Sequence, residues 1–294
     1  MKAYRVHRYG GPDAMQLDDA PVPVALSGQV LLKVKAASVN PIDWKMRSGM
    51  LAGMFPLEFP RTLGRDCAGE LEGRLVAGVA DPRKDGTHAE FALLPEASIC
   101  EVPKGLEATA AAAVCVTGLS AWIPLVEVAA LKKGQHVLIH AGAGGVGGVA
   151  IQIARHLGAT VTTTSTHADY CRSLGADRVI DYTSEDFASA GPFDVVLDTL
   201  GGDAHVRSLG SLKAGGILVA LSAAPIPTHT RRDDVRSEKA LIQATRERLE
   251  RIFAWAVEGK IRPQVTQVFD LGEADKAYAA VESGHAHGKV ILQP

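Results

Sequence analysis

The chain has 294 residues, 47% hydrophobic and 22% charged, enough to bury a large core and long enough to divide into two domains. Its 31 basic and 33 acidic residues leave a formal charge of −2, with no basic run that would mark a nucleic-acid partner. Four dispersed cysteines, Cys67, Cys100, Cys115 and Cys171, form no C-x-x-C pair and fit a reducing compartment.

The start, Met1 to Arg8, has no apolar signal region, and the longest apolar stretches, such as Ala108 to Val116, are short for a bilayer span. A cytoplasmic protein with no membrane partner is expected. The first third carries short alternating runs, among them Val30 to Lys35, between Gly and Pro clusters, which predicts a small β-rich domain.

From about Leu131 the pattern changes. A strand at His136–His140 leads into glycines, an amphipathic helix from Val149 to Leu157, and a strand at Thr160–Thr164. Strand, Gly-rich turn, helix and strand within about thirty residues make a βαβ unit. The alternation continues with a helix from Ala168 to Leu174 and strands at Arg178–Ile180, Val195–Leu197 and Ile217–Leu221, predicting a doubly wound parallel sheet. Glu238 to Val257 reads as charged and partly helical. The last thirty residues return to strands at Gln267–Phe269 and Lys289–Leu292 around a helix from Glu273 to Glu282.

Gly142-Ala143-Gly144-Gly145-Val146-Gly147 fits G-x-G-x-x-G in the context that motif needs, after a strand and at the start of a helix. Gly142 suits the tight turn, Gly144 the approach of a pyrophosphate, and Gly147 the packing of helix on strand. The helix N-terminus adds unpaired N–H groups and partial positive charge. A dinucleotide is the expected cofactor.

An NAD site places an acid at the end of the second strand. Here that region reads Thr163-Thr164-Ser165-Thr166-His167. Hydroxyls of Thr164, Ser165 and Thr166, with His167 or Arg172 for charge, suit a 2′-phosphate, so NADPH is preferred over NADH. The same hydroxyls also read as the finish of a strand and the cap of the next helix. Asp169 lies close enough in sequence to approach the ribose instead.

The ordered set Ser38 to Lys45, Leu63-Gly64-Arg65-Asp66, Gly86 to Phe91, Thr117 to Trp122, the glycine turn, Leu174 to Asp177 with Val179 to Tyr182, and Gly284 to Val290 resembles the zinc-free quinone oxidoreductases of the medium-chain dehydrogenase/reductase superfamily over nearly the whole chain. The resemblance implies a GroES-like catalytic domain over residues 1–112 and 264–294, with a Rossmann domain inserted over 113–263. It implies a zinc-independent enzyme moving hydride from NADPH to quinones or other conjugated carbonyls, and a homodimer. An enoyl or alkenal reductase of the same superfamily, and a non-catalytic NADPH-binding sensor, are the rival readings.

Zinc-dependent relatives carry a catalytic cysteine early in the chain and Gly-His-Glu where this chain has Gly64-Arg65-Asp66, so no metal is expected. His285 and His287 read as exposed near the C-terminal turn. By resemblance, Asn40 is an amide near nicotinamide and substrate, or else the start of a turn before Pro41. Lys45 is a cation for a developing oxyanion, or else a surface lysine. Asp43 reads as a loop organiser, and Arg47 equally as a charged group near the pocket or as a solvated charge.

The resemblance further implies Thr117 facing the nicotinamide, Tyr182 near the adenosine, Leu221 after a sheet strand, Phe269 beside the cleft and Lys289 toward the cofactor. Tyr182 and Phe269 read alternatively as packed aromatics and Lys289 as an exposed strand residue. The passage from Glu70 to Val76 is shorter than in the family, so part of the catalytic barrel is expected to be missing or rerouted and the substrate pocket more open.

Overall fold

The computed structural model describes residues 1–221, 232–284 and 286–294. Their contacts separate into two units: residues 1–116, 244–258 and 263–294, and residues 117–243 with 259–262. Residues 244–258, expected in the nucleotide-binding part, group with the first unit. His285 lies outside the described residues.

In chain order the first unit opens with β1 (Lys2–Val6), β2 (Met15–Asp19), β3 (Gln29–Val39), α1 (Pro41–Arg47), β4 (Arg61–Thr62), β5 (Asp66–Leu71), β6 (Arg74–Val79), β7 (Phe91–Pro95) and β8 (Ile99–Glu101). Helix α2 (Ala108–Trp122) leads into the second unit, which holds β9 (His136–Ile139), α3 (Gly145–His156), β10 (Thr160–Thr164), α4 (Ala168–Ser173), β11 (Arg178–Ile180), β12 (Phe193–Asp198), α5 (Gly202–Gly210), β13 (Leu212–Ala220) and β14 (Arg236–Lys239). The chain returns through α6 (Arg246–Val257), β15 (Val265–Asp270), α7 (Ala274–Glu282) and β16 (Lys289–Gln293).

The first unit contains a three-stranded sheet, β2-β1-β4, and a seven-stranded one, β15-β16-β3-β5-β6-β8 with β7 also on β3. The eleven residues of β3 serve three partners: its first half pairs with β7, its second with β5, and its last three residues also with β16. Alternate residues Leu32 and Val34 point into a core with Val76, Ala92, Leu94 and Ile99, following the period-2 pattern of a half-buried strand.

The shortened passage is rerouted, not broken. Strands β5 and β6 join directly through Glu72 and Gly73, at φ of 52° and 77°, a two-residue hairpin of the kind whose twist matches its strands. Six residue pairs, from Asp66 with Val79 to Leu71 with Arg74, stay in unbroken register, and β6 passes on to β8.

The second unit is a six-stranded sheet in the order β11-β10-β9-β12-β13-β14, every pairing parallel. Strands run outward from β9 in one direction and from β12 in the other, so the gap between those two is the switch point where such sheets place ligands. Val195 and Leu197 on one face and Val196 on the other are all buried, which is why β12 reads as an uninterrupted apolar run.

Several boundaries differ from the sequence expectation. Helix α3 begins four residues before Val149, inside the glycine turn, because glycines there are needed for close packing rather than as breakers. Glu238 belongs to β14, not to a helix; α6 starts only after Thr245, whose Oγ1 caps the Arg248 N–H at 3.4 Å. The apolar stretch at Ala108 also runs on: helical structure continues to Val128, accommodating Pro124 in a π-helical segment. At 21 residues and mean hydropathy 1.7 it is long and apolar enough to cross a membrane, yet 78% of its most apolar stretch is buried within the protein, as for a core helix.

Candidate active site

Strand β9 ends at Ile139, and the turn into α3 is made at Ala141, whose φ is 55°. The left-handed residue is therefore Ala141, whereas Gly142 was expected to take the tight turn. Gly142 has a different reason to be glycine: a Cβ there would stand 2.2 Å from Thr163 Oγ1. At Gly147 a Cβ would stand 2.2 Å from the Ala141 carbonyl oxygen, so helix and turn could not close. At Gly144 the nearest atom is that same oxygen at 3.3 Å, leaving the outer side open.

Gly144 is the N-cap of α3, and the first intrahelical bond runs from Gly148 N–H to the Gly144 carbonyl at 2.8 Å. The N–H groups of Gly145, Val146 and Gly147 precede that bond and have no intrahelical acceptor. Three convergent donors at the positive end of a 12-residue helix, over a turn stripped of Cβ atoms, make a cradle for an anion. Ala143 is buried within the same turn.

At the end of β10 the hydroxyls divide. Thr164 Oγ1 accepts the Ala141 N–H at 3.1 Å and lies 3.2 Å from His140 Nδ1, buried and committed to shaping the turn. Ser165 Oγ accepts the His167 N–H at 3.0 Å, closing the turn that leads into α4. Thr164 and Ser165 thus make the bonds of the alternative reading, in which these hydroxyls finish the strand and shape the turns beside it. Thr166 and Arg172 do face solvent, and Arg172 is held by Asp169 at 3.1 Å. That pairing puts the acid on the guanidinium. Tyr182, just past β11, is 61% exposed and is not a packed aromatic. Leu221 follows β13, its N–H bonded to the Asp198 carbonyl at 2.8 Å.

In the first unit a buried polar network surrounds the start of α1. Asn40 caps the helix, and Asp43 returns its carboxylate to the Asn40 N–H at 2.7 Å. The Asn40 amide nitrogen donates to Asp66 Oδ1 at 2.8 Å, and its oxygen accepts from Lys289 Nζ at 2.6 Å. Lys289 also donates to the Val39 carbonyl at 3.2 Å, while Asp66 receives the Ser38 hydroxyl and the Val116 N–H. Lys289 is therefore buried in the fold and not an exposed strand residue.

Burial drives the protonation states here. It pushes Asp43 up to about 7, with Asp66 adding and the Asn40 N–H opposing. It lowers Lys289, against the pull of Asp66 and Asp43. His88 is pushed down to about 4 and is neutral. Its Nε2–H donates to the Ser38 carbonyl at 3.2 Å, leaving Nδ1 to accept the Tyr278 hydroxyl at 2.9 Å.

Arg47 is the clearest correction to the sequence reading. It is 1% exposed rather than solvated, pairing with Glu282 at 2.7 Å, donating to the Gly10 carbonyl at 3.2 Å and lying over the Tyr278 ring. Lys45, on the same helix, is half-buried with its ammonium 5.7 Å from the Trp44 ring centroid, and that ammonium has no hydrogen bond or ion pair among the described residues. Phe269 on β15 and His287 are half-buried, the latter against an expected exposed position; Thr117, on α2, is buried. Among the described residues no three His, Cys, Asp or Glu gather as a metal site.

Arg47, His88, Tyr278 and Asp66 were not singled out as site residues. Their signal is weak in sequence, because each gains its meaning from a partner on a distant element.

A parallel six-stranded sheet with a glycine-lined helix start, joined to a β-rich unit with buried polar groups at a helix cap, defines a dehydrogenase-type oxidoreductase. Residues 26–74 match the family model of the alcohol dehydrogenase GroES-like domain and residues 174–292 that of zinc-binding dehydrogenase. A chloroplast envelope quinone oxidoreductase homolog from Arabidopsis thaliana is 32% identical, over 100% of this chain and 98% of that protein. The structure of a quinone oxidoreductase from Coxiella burnetii superposes with a TM-score of 0.91 at 34% identity, covering 100% and 99%. That of an Escherichia coli quinone oxidoreductase complexed with NADPH gives 0.89 at 25%, covering both chains fully. The chain belongs to the zinc-binding dehydrogenase, or medium-chain dehydrogenase/reductase, superfamily and is quinone oxidoreductase-like.

Alignment with the Arabidopsis protein runs over 324 positions against 294 residues here, so that relative carries residues this chain lacks.

Proposed function

We propose that the protein is an NADPH-dependent reductase of quinones or related conjugated carbonyls that works without zinc and acts as a homodimer. The observation that carries this reading is the anion cradle at the switch point of the parallel sheet, with no acid ending β10. The N–H groups of Gly145, Val146 and Gly147 hold the pyrophosphate, and Gly142 and Gly144 keep its approach clear. Thr166 and Arg172 take the 2′-phosphate once Arg172 turns from Asp169, and Tyr182 covers the adenine. An NADPH complex of an Escherichia coli relative supports the choice of cofactor.

NADPH, when bound, supplies the hydride. The protein's own task is to place an already electron-poor acceptor and stabilise the charge that develops on its oxygen. Lys45 is assigned that task, as a half-buried cation with no ion pair among the described residues. Asn40 is assigned to positioning, since both ends of its amide are held within the protein. Lys289 holds Asn40 in turn, and Thr117 and Leu221 are assigned to the nicotinamide end.

Loss of NADPH absorbance with benzoquinone, phenanthrenequinone and an α,β-unsaturated aldehyde, with NADH as control, tests the proposal. Saturable NADPH oxidation on a quinone supports it. Turnover of the aldehyde alone makes it an alkenal reductase, and NADPH binding without any turnover makes it a sensor.

A further inference from the structure

A cavity of about 420 Å³ lies within the first unit, between the start of β1, the segment joining β2 to β3, residues 81–86 and β7. Its size falls within the roughly 300–1,000 Å³ of small-ligand sites. None of the residues lining it belongs to the anion cradle or to the polar network around Asn40.

One wall is apolar by strand alternation. Ala92 and Leu94 of β7 point into the core, so Phe91, Leu93 and Pro95 turn to the opposite face, where they are half-buried and line the cavity. Pro21 and Pro23 also line it and offer no N–H donor.

The polar groups gather at one end. Arg5 on β1 pairs with Thr62 on β4, and the Thr62 N–H donates to Asp85 Oδ1 at 2.9 Å, which brings the adjacent Lys84 to the same corner. Ala3 bridges Ala89 in antiparallel sense, so the run from Phe91 to Pro95 leads away from Arg5, over roughly 13 Å of strand.

These polar groups are donors short of an acceptor. Arg5 Nη2 donates to the Pro60 carbonyl at 2.7 Å, but Nη1 has no partner among the described residues, and neither has the Lys84 ammonium. Thr62 is only 3% exposed, and its hydroxyl is likewise without a partner among the described residues. The two acids lining the cavity are already engaged. Asp85 holds the Thr62 N–H and lies 3.9 Å from Arg61 Nε, while Asp81 Oδ1 accepts the Arg83 N–H at 2.9 Å. Two cations without an acid partner favour an anion, and a buried hydroxyl without a partner is costly until something accepts from it.

We propose that this cavity binds a medium-chain monocarboxylate, its head group on Arg5, Lys84 and Thr62 and its chain along Phe91, Leu93 and Pro95. The two carboxylate oxygens offer about four acceptor positions, enough for all three donors. The chain takes the apolar wall out of water, which sets a dependence on its length.

Isothermal titration calorimetry of the full-length protein with octanoate tests the site, with hexanoate as the shorter probe and octan-1-ol as the uncharged one. One octanoate per chain is expected, bound about tenfold more tightly than hexanoate for its two further methylenes and more tightly than octan-1-ol. Lys84→Met is expected to weaken octanoate about threefold, as for an exposed charge, and to leave octan-1-ol unchanged. Thr62→Val is expected to weaken octanoate about tenfold. Both variants should keep the parent Tm, because neither the ammonium nor the hydroxyl bonds within the protein. Absence of saturable binding at millimolar octanoate, several molecules per chain, equal affinity for octan-1-ol, or undiminished binding in both variants overturns the proposal. Loss of NADPH oxidation with octanoate binding intact bears only on the reductase reading.

Discussion

Lys289 and Asn40 lie 249 residues apart in sequence and meet at 2.6 Å, ammonium to amide oxygen. The contact fixes which way the amide faces, so its nitrogen must turn to Asp66. Asn40→Leu would leave a buried cation and a buried carboxylate each short of a partner. It is expected to cost about 3–5 kcal/mol in denaturant unfolding; a loss below about 1 kcal/mol would show that the network does not hold the helix cap.

Asp43 gives a pH signature. Its carboxyl is raised from 3.8 to about 7 by burial, so between those values the folded protein holds a proton that the unfolded chain has released. Its contribution therefore falls as pH rises across that window, by on the order of 4 kcal/mol. Asp43→Asn should become progressively more stable relative to the parent from pH about 4 to about 7. A difference independent of pH would mean the carboxyl titrates normally.

His88 acts in the opposite direction. Burial lowers it from 6.5 to about 4, so over that range the unfolded chain binds the extra proton. Stability from this group is present above 6.5 and lost as pH falls toward 4. His140, also lowered to about 4 by burial, behaves likewise. His88→Gln, which can accept from Tyr278 and donate to Ser38, is predicted to flatten the acid limb of stability against pH by about half. An unchanged limb would place the acid sensitivity elsewhere.

The glycines of the turn should separate folding from binding. Gly147→Ala places a Cβ 2.2 Å from a carbonyl oxygen and is expected to lower Tm sharply or prevent folding. At Gly144 the nearest atom is 3.3 Å away, so Gly144→Ala should fold with a small change in Tm yet bind NADPH at least about tenfold more weakly. Thermal unfolding and fluorescence titration of both variants decide this. Unaltered NADPH affinity in Gly144→Ala would argue against the cradle.

Lys45→Met tests the oxyanion role. The expected outcome is a fall of about tenfold or more in kcat/KM for a quinone, with NADPH affinity kept. Steady-state kinetics with a matched increase in KM alone would make Lys45 a binding contact instead.

The fold was legible in sequence where each element carries its own signal. Thr160–Thr164 and Arg178–Ile180 are found at the residues expected, because buried parallel strands announce themselves as short β-branched or apolar runs. The glycine turn was legible for the same local reason. What escaped depended on remote partners: Arg47 is buried against Gly10, Tyr278 and Glu282, the last 235 residues on. Thr164 stayed ambiguous in sequence because a hydroxyl at a strand end can satisfy the protein's own turn as readily as a ligand. Ala141 held the strained backbone position, a role that composition alone assigns to its glycine neighbour.

The hairpin at Glu72 and Gly73 also bears on how chains of this fold differ in length. With Leu71 and Arg74 already paired, the ladder closes without help from anything beyond its tip. Residues can be spliced in there while every strand below keeps its neighbour. The tip is thus a natural point for grafting a tag or a second binding loop, outside the register that supports Asp66.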